Sequence, residues 1–139
     1  MAATVLLIED DPALLPIMAA AFRRAGFETW SARNGTVGAE LFRAGRPDLV
    51  VTDIVMPGTE GLEVIIEMKR AARSTKVIAI SGGGRRGGGD FLNWARHLGA
   101  DAVMAKPFRP SALVATAKRL LERRNVAGDI TDLDDAGLA

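Results

Sequence analysis

Residues 48–53 read Asp48-Leu-Val-Val-Thr-Asp53, a short apolar run closed at both ends by acids. A run this short, rich in β-branched residues, fits a strand buried on both faces. Three more stretches read the same way: Thr4-Val-Leu-Leu-Ile8, Lys76-Val-Ile-Ala-Ile-Ser81 and the weaker Ala102-Val-Met-Ala105. Phe27-Glu-Thr-Trp-Ser31 mixes apolar and polar residues instead, which fits an edge strand.

Between these runs the apolar residues return at helical spacing. Leu14, Leu15, Met18 and Phe22 form one stripe, Val37, Leu41 and Phe42 a second, and Leu62, Ile65, Ile66 and Met68 a third. Phe91, Trp94, Ala95 and Leu98 follow, and Leu113, Val114, Ala117, Leu120 and Leu121 close the series. Gly26, Gly45 and Gly99 sit just past helical patterns, where a C-terminal glycine is expected. Strand and helix alternate five times. That order predicts an α/β fold with a doubly wound, five-stranded parallel sheet, strand order 2-1-3-4-5. Strands 1 and 3 are then neighbours, and the winding reverses between them. Ligands bind beyond the carboxyl ends of the strands at such a reversal.

Composition narrows the chemistry. The 139 residues suit one domain, and 48% apolar with 25% charged residues is the balance of an ordinary globule. The absence of cysteine excludes disulfides, thiol catalysis and thiolate metal sites. The single histidine, His97, excludes a multi-histidine zinc site. No apolar run approaches the ~20 residues of a membrane span, so a cytoplasmic protein is expected. The net charge of +1 gives no reason to expect nucleic acid or membrane as a partner. The charge is unevenly placed: all 18 cations lie at or before Arg124, whereas Asp129, Asp132, Asp134 and Asp135 fall beyond it. The expected organisation is a folded body over 1–124 and an acidic, flexible tail over 125–139.

The two loops at the reversal both open with carboxylates: Glu9-Asp10-Asp11-Pro12 after strand 1, and Asp53-Ile-Val-Met-Pro-Gly58 after strand 3. Pro12 suits the first helical position, which makes Asp11 the N-cap and leaves Glu9, Asp10 and Asp53 for the pocket. Clustered carboxylates need a cation, and all-oxygen ligands suit a hard ion, Mg²⁺ or Mn²⁺. The bland alternative is that strand ends and helix starts collect acids without a metal. Strand 4 ends at Ser81 and strand 5 is followed by Lys106, so a hydroxyl and an ammonium face the same side. Acids, a metal, a lysine and a hydroxyl together fit phosphoryl transfer with a carboxylate as nucleophile. Taken singly, Lys106 reads as a salt-bridge partner and Ser81 as a turn hydroxyl.

Four pieces carry a family likeness: LLIEDDPAL after strand 1, PDLVVTDIVMPGTEGLEVI around Asp53, VIAISG at strand 4 and GADAVMAKPF at strand 5. With them, residues 4–124 resemble the receiver domain of two-component response regulators, the CheY-like fold. The resemblance implies that Asp53 is a phosphoacceptor, charged by a histidine of a sensor kinase or phosphotransfer protein. It implies that Asp10 binds Mg²⁺ directly and Glu9 through water, with the Val55 carbonyl as a further ligand. Ser81 and Lys106 would contact the phosphoryl oxygens, and the Lys106–Pro107 peptide is expected to be cis. The implied role is signalling rather than enzymatic. Its output would pass to another protein through the surface of the fourth helix, fifth strand and fifth helix, which is also the candidate homodimer face. With only residues 125–139 beyond the body, a stand-alone receiver is expected.

Two positions depart from the pattern. Receivers usually carry an aromatic residue where this chain has Val103, and the stretch from Gly82 to Gly89 is glycine except for Arg85 and Arg86. A flexible connector is the plain reading of that stretch; a moving part that replaces the aromatic is the sharper one. Two rival functions follow from the same residues. One is an adaptor that works without phosphate. The other is a small aspartate-nucleophile phosphohydrolase, which usually has a second aspartate where Val55 stands. His97 and Trp94 read as a helix-end cation and a packing residue.

Overall fold

In the computed structural model, which describes residues 2–54, 60–72, 74–82, 93, 95–97 and 99–129, all five expected strands form. They are β1 (Thr4–Ile8), β2 (Glu28–Ala32), β3 (Leu49–Asp53), β4 (Lys76–Ser81) and β5 (Ala102–Ala105). Every pairing is parallel and the order is β2-β1-β3-β4-β5. Helices α1 (Leu14–Arg24), α2 (Gly35–Gly45) and α3 (Glu60–Ala71) follow the first three strands, and a C-terminal helix (Pro110–Asp129) follows β5. Residues 93 and 95–97, between β4 and β5, are also helical.

The continuous apolar runs are explained by burial on two faces. Val5, Leu7, Leu49, Val51, Ile78 and Ile80 point to one side, against Met18 and Phe22 of α1 and Leu113 and Ala117 of the C-terminal helix. Leu6, Ile8, Val50, Val77 and Ala79 point to the other, against Phe42 of α2 and Ile65 and Met68 of α3. Alternation within each strand thus feeds two cores, and helices on both faces close them. β2 is an edge strand as its pattern predicts, with Glu28 and Ser31 exposed.

Three sequence readings are corrected. Val37 does not join the core stripe of α2; it is exposed, and Gly38 faces the sheet directly above Ile8. Gly26 and Gly99 take the positive φ expected past a helix, but Gly45 does not. It is the last residue of α2, and the left-handed position falls to Arg46 at φ 46°. Gly45 is needed for room instead: a methyl group on it would stand 2.0 Å from Cη2 of Trp30. Regular helix in α1 starts at Leu14 and not at Pro12, which lies in a preceding turn. Asp11 still performs the capping chemistry, its Oδ1 accepting from the amides of Ala13 at 2.8 Å and Leu14 at 3.3 Å. The C-terminal helix runs to Asp129, five residues past Arg124. Val55, Trp94 and the stretch from Gly83 to Gly89 lie outside the described residues.

Candidate functional site

The parallel sheet brings its carboxyl ends to one edge, and the chemistry-bearing residues stand there. Glu9 follows β1, with its amide donating to Ala32 O at 3.0 Å. Asp53 is the last residue of β3 and Ser81 the last of β4. Lys106 follows β5, and its amide donates to Ser81 O at 2.9 Å. The Lys106–Pro107 peptide is cis, as expected. Register fixes these neighbours: Ile8 pairs with Thr52, Asp53 with Ile80, and Ser81 with Ala105.

One ammonium joins two buried carboxylates. Lys106 Nζ donates to Asp53 Oδ2 at 2.8 Å and to Glu9 Oε2 at 3.2 Å, and it lies 3.1 Å from Glu9 Oε1. Glu9 is fully buried and Asp53 nearly so, whereas Asp10 is exposed. The Asp11 amide also donates to Glu9 Oε2, at 3.0 Å. The residue assigned to capping therefore also orients the pocket, through a backbone group that no side-chain motif reports. Burial, and then the charge of Asp53, push the Glu9 carboxyl up from 4.5 to about 7, against the pull of the Asp11 amide and of Lys106. Burial lowers the Lys106 ammonium, but pairing with Asp53 and then Glu9 outweighs it and leaves the lysine above its ordinary 10.5.

Two buried polar atoms, Glu9 Oε1 and Ser81 Oγ, have no hydrogen-bond partner among the described residues. Buried polar atoms are normally satisfied; Glu9 Oε1 has the Lys106 ammonium at 3.1 Å, which leaves Ser81 Oγ as the atom without a partner among the described residues. One carboxylate oxygen from each of Glu9, Asp10 and Asp53 lies within 4.8 Å of the others. An all-oxygen set of this kind fits a hard divalent cation such as Mg²⁺. A hollow of about 290 Å³, walled by Leu14, Ile17 and Phe108, flanks the pocket beside Lys106. Val103 is half-buried against the core on the α2–α3 side of the sheet. His97 is exposed, with its ring Nδ1 3.0 Å from Asn93 O. Among the described residues, no helix is long and apolar enough to cross a membrane.

Known proteins resemble this chain in sequence and in fold. The family model for the response regulator receiver domain matches residues 5–118. The sporulation initiation phosphotransferase F of Bacillus subtilis is 28% identical over 117 residues, covering 84% of this chain and 92% of that protein. The phosphate regulon transcriptional regulatory protein PhoB of Pseudomonas aeruginosa is 29% identical over 137 residues, 97% of this chain. The chain spans only 58% of that regulator's length, and about half of several other curated relatives. Among solved structures, a CheY-like receiver domain protein from Methanospirillum hungatei superposes with a TM-score of 0.83 at 23% identity. That match covers 90% of this chain and 98% of the other, and it shows the shared fold.

Proposed function

Because the chain belongs to the response regulator receiver domain family, we propose that its pocket works as a phosphorylation switch with Asp53 as the phosphoacceptor. Receiver domains are signalling domains rather than enzymes, and the proposal concerns a single covalent event on this chain. The phosphodonor is a phosphohistidine on a sensor histidine kinase or a phosphotransfer protein. A carboxylate oxygen of Asp53 attacks phosphorus, the O–P bond forms, the P–N bond breaks, and the histidine leaves with a proton on its ring. The observation that carries this reading is the convergence of Asp53, Glu9 and Lys106 within hydrogen-bonding distance, beside a buried serine hydroxyl with no partner among the described residues.

Each side chain then has a task. Lys106 stands 2.8 Å from Asp53, where it can neutralise charge arriving on the phosphoryl oxygens. Ser81 Oγ, buried and unsatisfied among the described residues, is a donor in wait for one of those oxygens. Glu9, Asp10 and Asp53 are the residues that would hold Mg²⁺ or Mn²⁺, with the Val55 carbonyl completing the proposed set. Such an ion supplies charge neutralisation for a phosphoryl group that adds about −1.5 to −2 charges to an acidic site. The proposed consequence is a change in the surface of β5, the helical residues before it and the C-terminal helix, read by another protein or by a second copy. The proposal takes residues 1–124 as the receiver body, 125–139 as an acidic appendage and the cytoplasm as the location.

Acetyl phosphate with Mg²⁺ should label the native chain at one site and leave Asp53→Ala unlabelled. Mass spectrometry of the intact protein reads the result, and a native chain that takes no phosphoryl group at Asp53 overturns the proposal.

A further inference from the structure

We propose that Gly82 is a positioning residue for the pocket: its bare Cα is the bed on which the stem of Lys106 lies on its way to Asp53. This rests on the reading of Asp53 as phosphoacceptor and adds a residue which that reading does not use.

The sheet order creates the need. Asp53 ends β3 and Lys106 follows β5, and β4 lies between them. The lysine must therefore cross the carboxyl end of β4, which is Ser81 followed by Gly82. Two strand spacings amount to roughly 10 Å, which leaves the side chain little slack for another route. Both ends of Lys106 are also fixed. Its amide is bound to Ser81 O at 2.9 Å, and its ammonium to Asp53 and Glu9.

The middle of the stem is the part that touches β4. A methyl group on Gly82 would stand 2.8 Å from Lys106 Cδ and 3.7 Å from its Cβ and Cε. Carbon atoms pack at about 3.5–4.0 Å, so the stem would have to lift by the better part of an ångström. Backbone geometry does not demand glycine here, since Gly82 is not among the residues with positive φ. Room for the lysine is what demands it. Gly82 is itself exposed, so a methyl group there disturbs no core packing.

The consequence is specific to Lys106. In Gly82→Ala the added carbon pushes Cδ away from the sheet edge, and the ammonium is drawn off Asp53 Oδ2. Displacement of a catalytic group by about 1 Å costs up to ~100-fold in rate. A residue that acts only through Lys106 must also lose its effect once that side chain is gone.

Two measurements on the full chain test this. The first is the NMR resonance of the Lys106 ε-carbon, identified by its loss in Lys106→Ala. It should move in Gly82→Ala towards its position in Asp53→Asn, where the ion pair is weakened. The second is the rate of acetyl phosphate labelling, which should fall roughly 10- to 100-fold in Gly82→Ala and show no further fall when Gly82→Ala is added to Lys106→Ala. An unmoved ε-carbon resonance, or losses that multiply in the double variant, would overturn the role of Gly82. A native chain that takes no label removes the phosphoacceptor reading instead, and the resonance alone then decides whether Gly82 sets the position of Lys106.

Discussion

Lys106 and Asp53 meet at 2.8 Å across an intervening strand, so the ion pair staples the ends of β3 and β5 over the end of β4. The same ammonium is the cation beside Glu9. Removing it leaves two carboxylates in a buried site with their mutual repulsion uncompensated. Loss of one partner from a buried pair costs about 3–5 kcal/mol, and the part-exposure of Lys106 reduces that here. Lys106→Ala should therefore lose about 2–3 kcal/mol at pH 8 in metal-free urea denaturation. Adding Glu9→Gln should return most of it. Equal stability of Lys106→Ala and the native chain would show that the pair contributes nothing to the fold.

Glu9 gives the pocket a pH dependence whose sign is fixed by its raised carboxyl. Folded, Glu9 gives up its proton at about 7; unfolded, at its ordinary 4.5. Below 4.5 the group is protonated in both states and its contribution to stability is fully present. Between 4.5 and 7 the folded chain keeps a proton that the unfolded chain has released, so the contribution falls as pH rises and is lost above about 7. The melting temperature of the metal-free chain should decline across that window, and Glu9→Gln should remove this part of the decline. Metal ligands bind deprotonated, so Mg²⁺ should raise the melting temperature more at pH 8 than at pH 5. A Glu9→Gln chain with an unchanged slope would contradict the assignment.

Arg46 holds a left-handed backbone, φ 46°, that costs an L-residue about 1–2 kcal/mol. Its side chain explains why glycine is not there. The guanidinium lies 5.5 Å from the centre of the Phe42 ring and donates to Ala71 O at 3.1 Å, tying the end of α2 to the end of α3. Arg46→Ala keeps the strain and loses both ties, so it should cost about 1–2 kcal/mol. Arg46→Gly loses the ties but relieves the strain, and should come out about 1 kcal/mol more stable than Arg46→Ala. The reverse order in urea denaturation would show that the backbone there is not strained.

Much of this was legible in the chain itself, for reasons that also mark the limit. Parallel strands buried on two faces write continuous apolar runs, so β1, β3 and β4 could be found from Val, Ile and Leu alone. A parallel sheet gathers its carboxyl ends, so Glu9, Asp53, Ser81 and Lys106 could be placed on one edge once the strand order was known. Periodicity reports which face a residue occupies but not what stands opposite. It could not show that Val37 turns outward while Gly38 meets Ile8, or that the amide of Asp11 grips Glu9. Nor could it show that Gly45 leaves space for an indole; a glycine after a helical stripe looks the same whether it supplies φ or room.

Gly45 tests that last distinction. Alanine favours a helix over glycine by about 1 kcal/mol, so propensity alone predicts that Gly45→Ala stabilises α2. The structure predicts the opposite, because the new methyl group would fall 2.0 Å from Cη2 and 2.4 Å from Cζ3 of Trp30. The indole is partly buried against the α2–α3 core and held by a bond from Nε1 to Glu28 Oε2 at 3.3 Å, so moving it disturbs β2 as well. Overpacking of this kind costs about 1–3 kcal/mol, enough to outweigh the helical gain. Urea denaturation of Gly45→Ala should show a net loss of about 1–2 kcal/mol. In a Trp30→Leu background the clash is gone, and the same substitution should become neutral or stabilising. A Gly45→Ala chain more stable than the native one would mean that the glycine serves the helix end and not the indole.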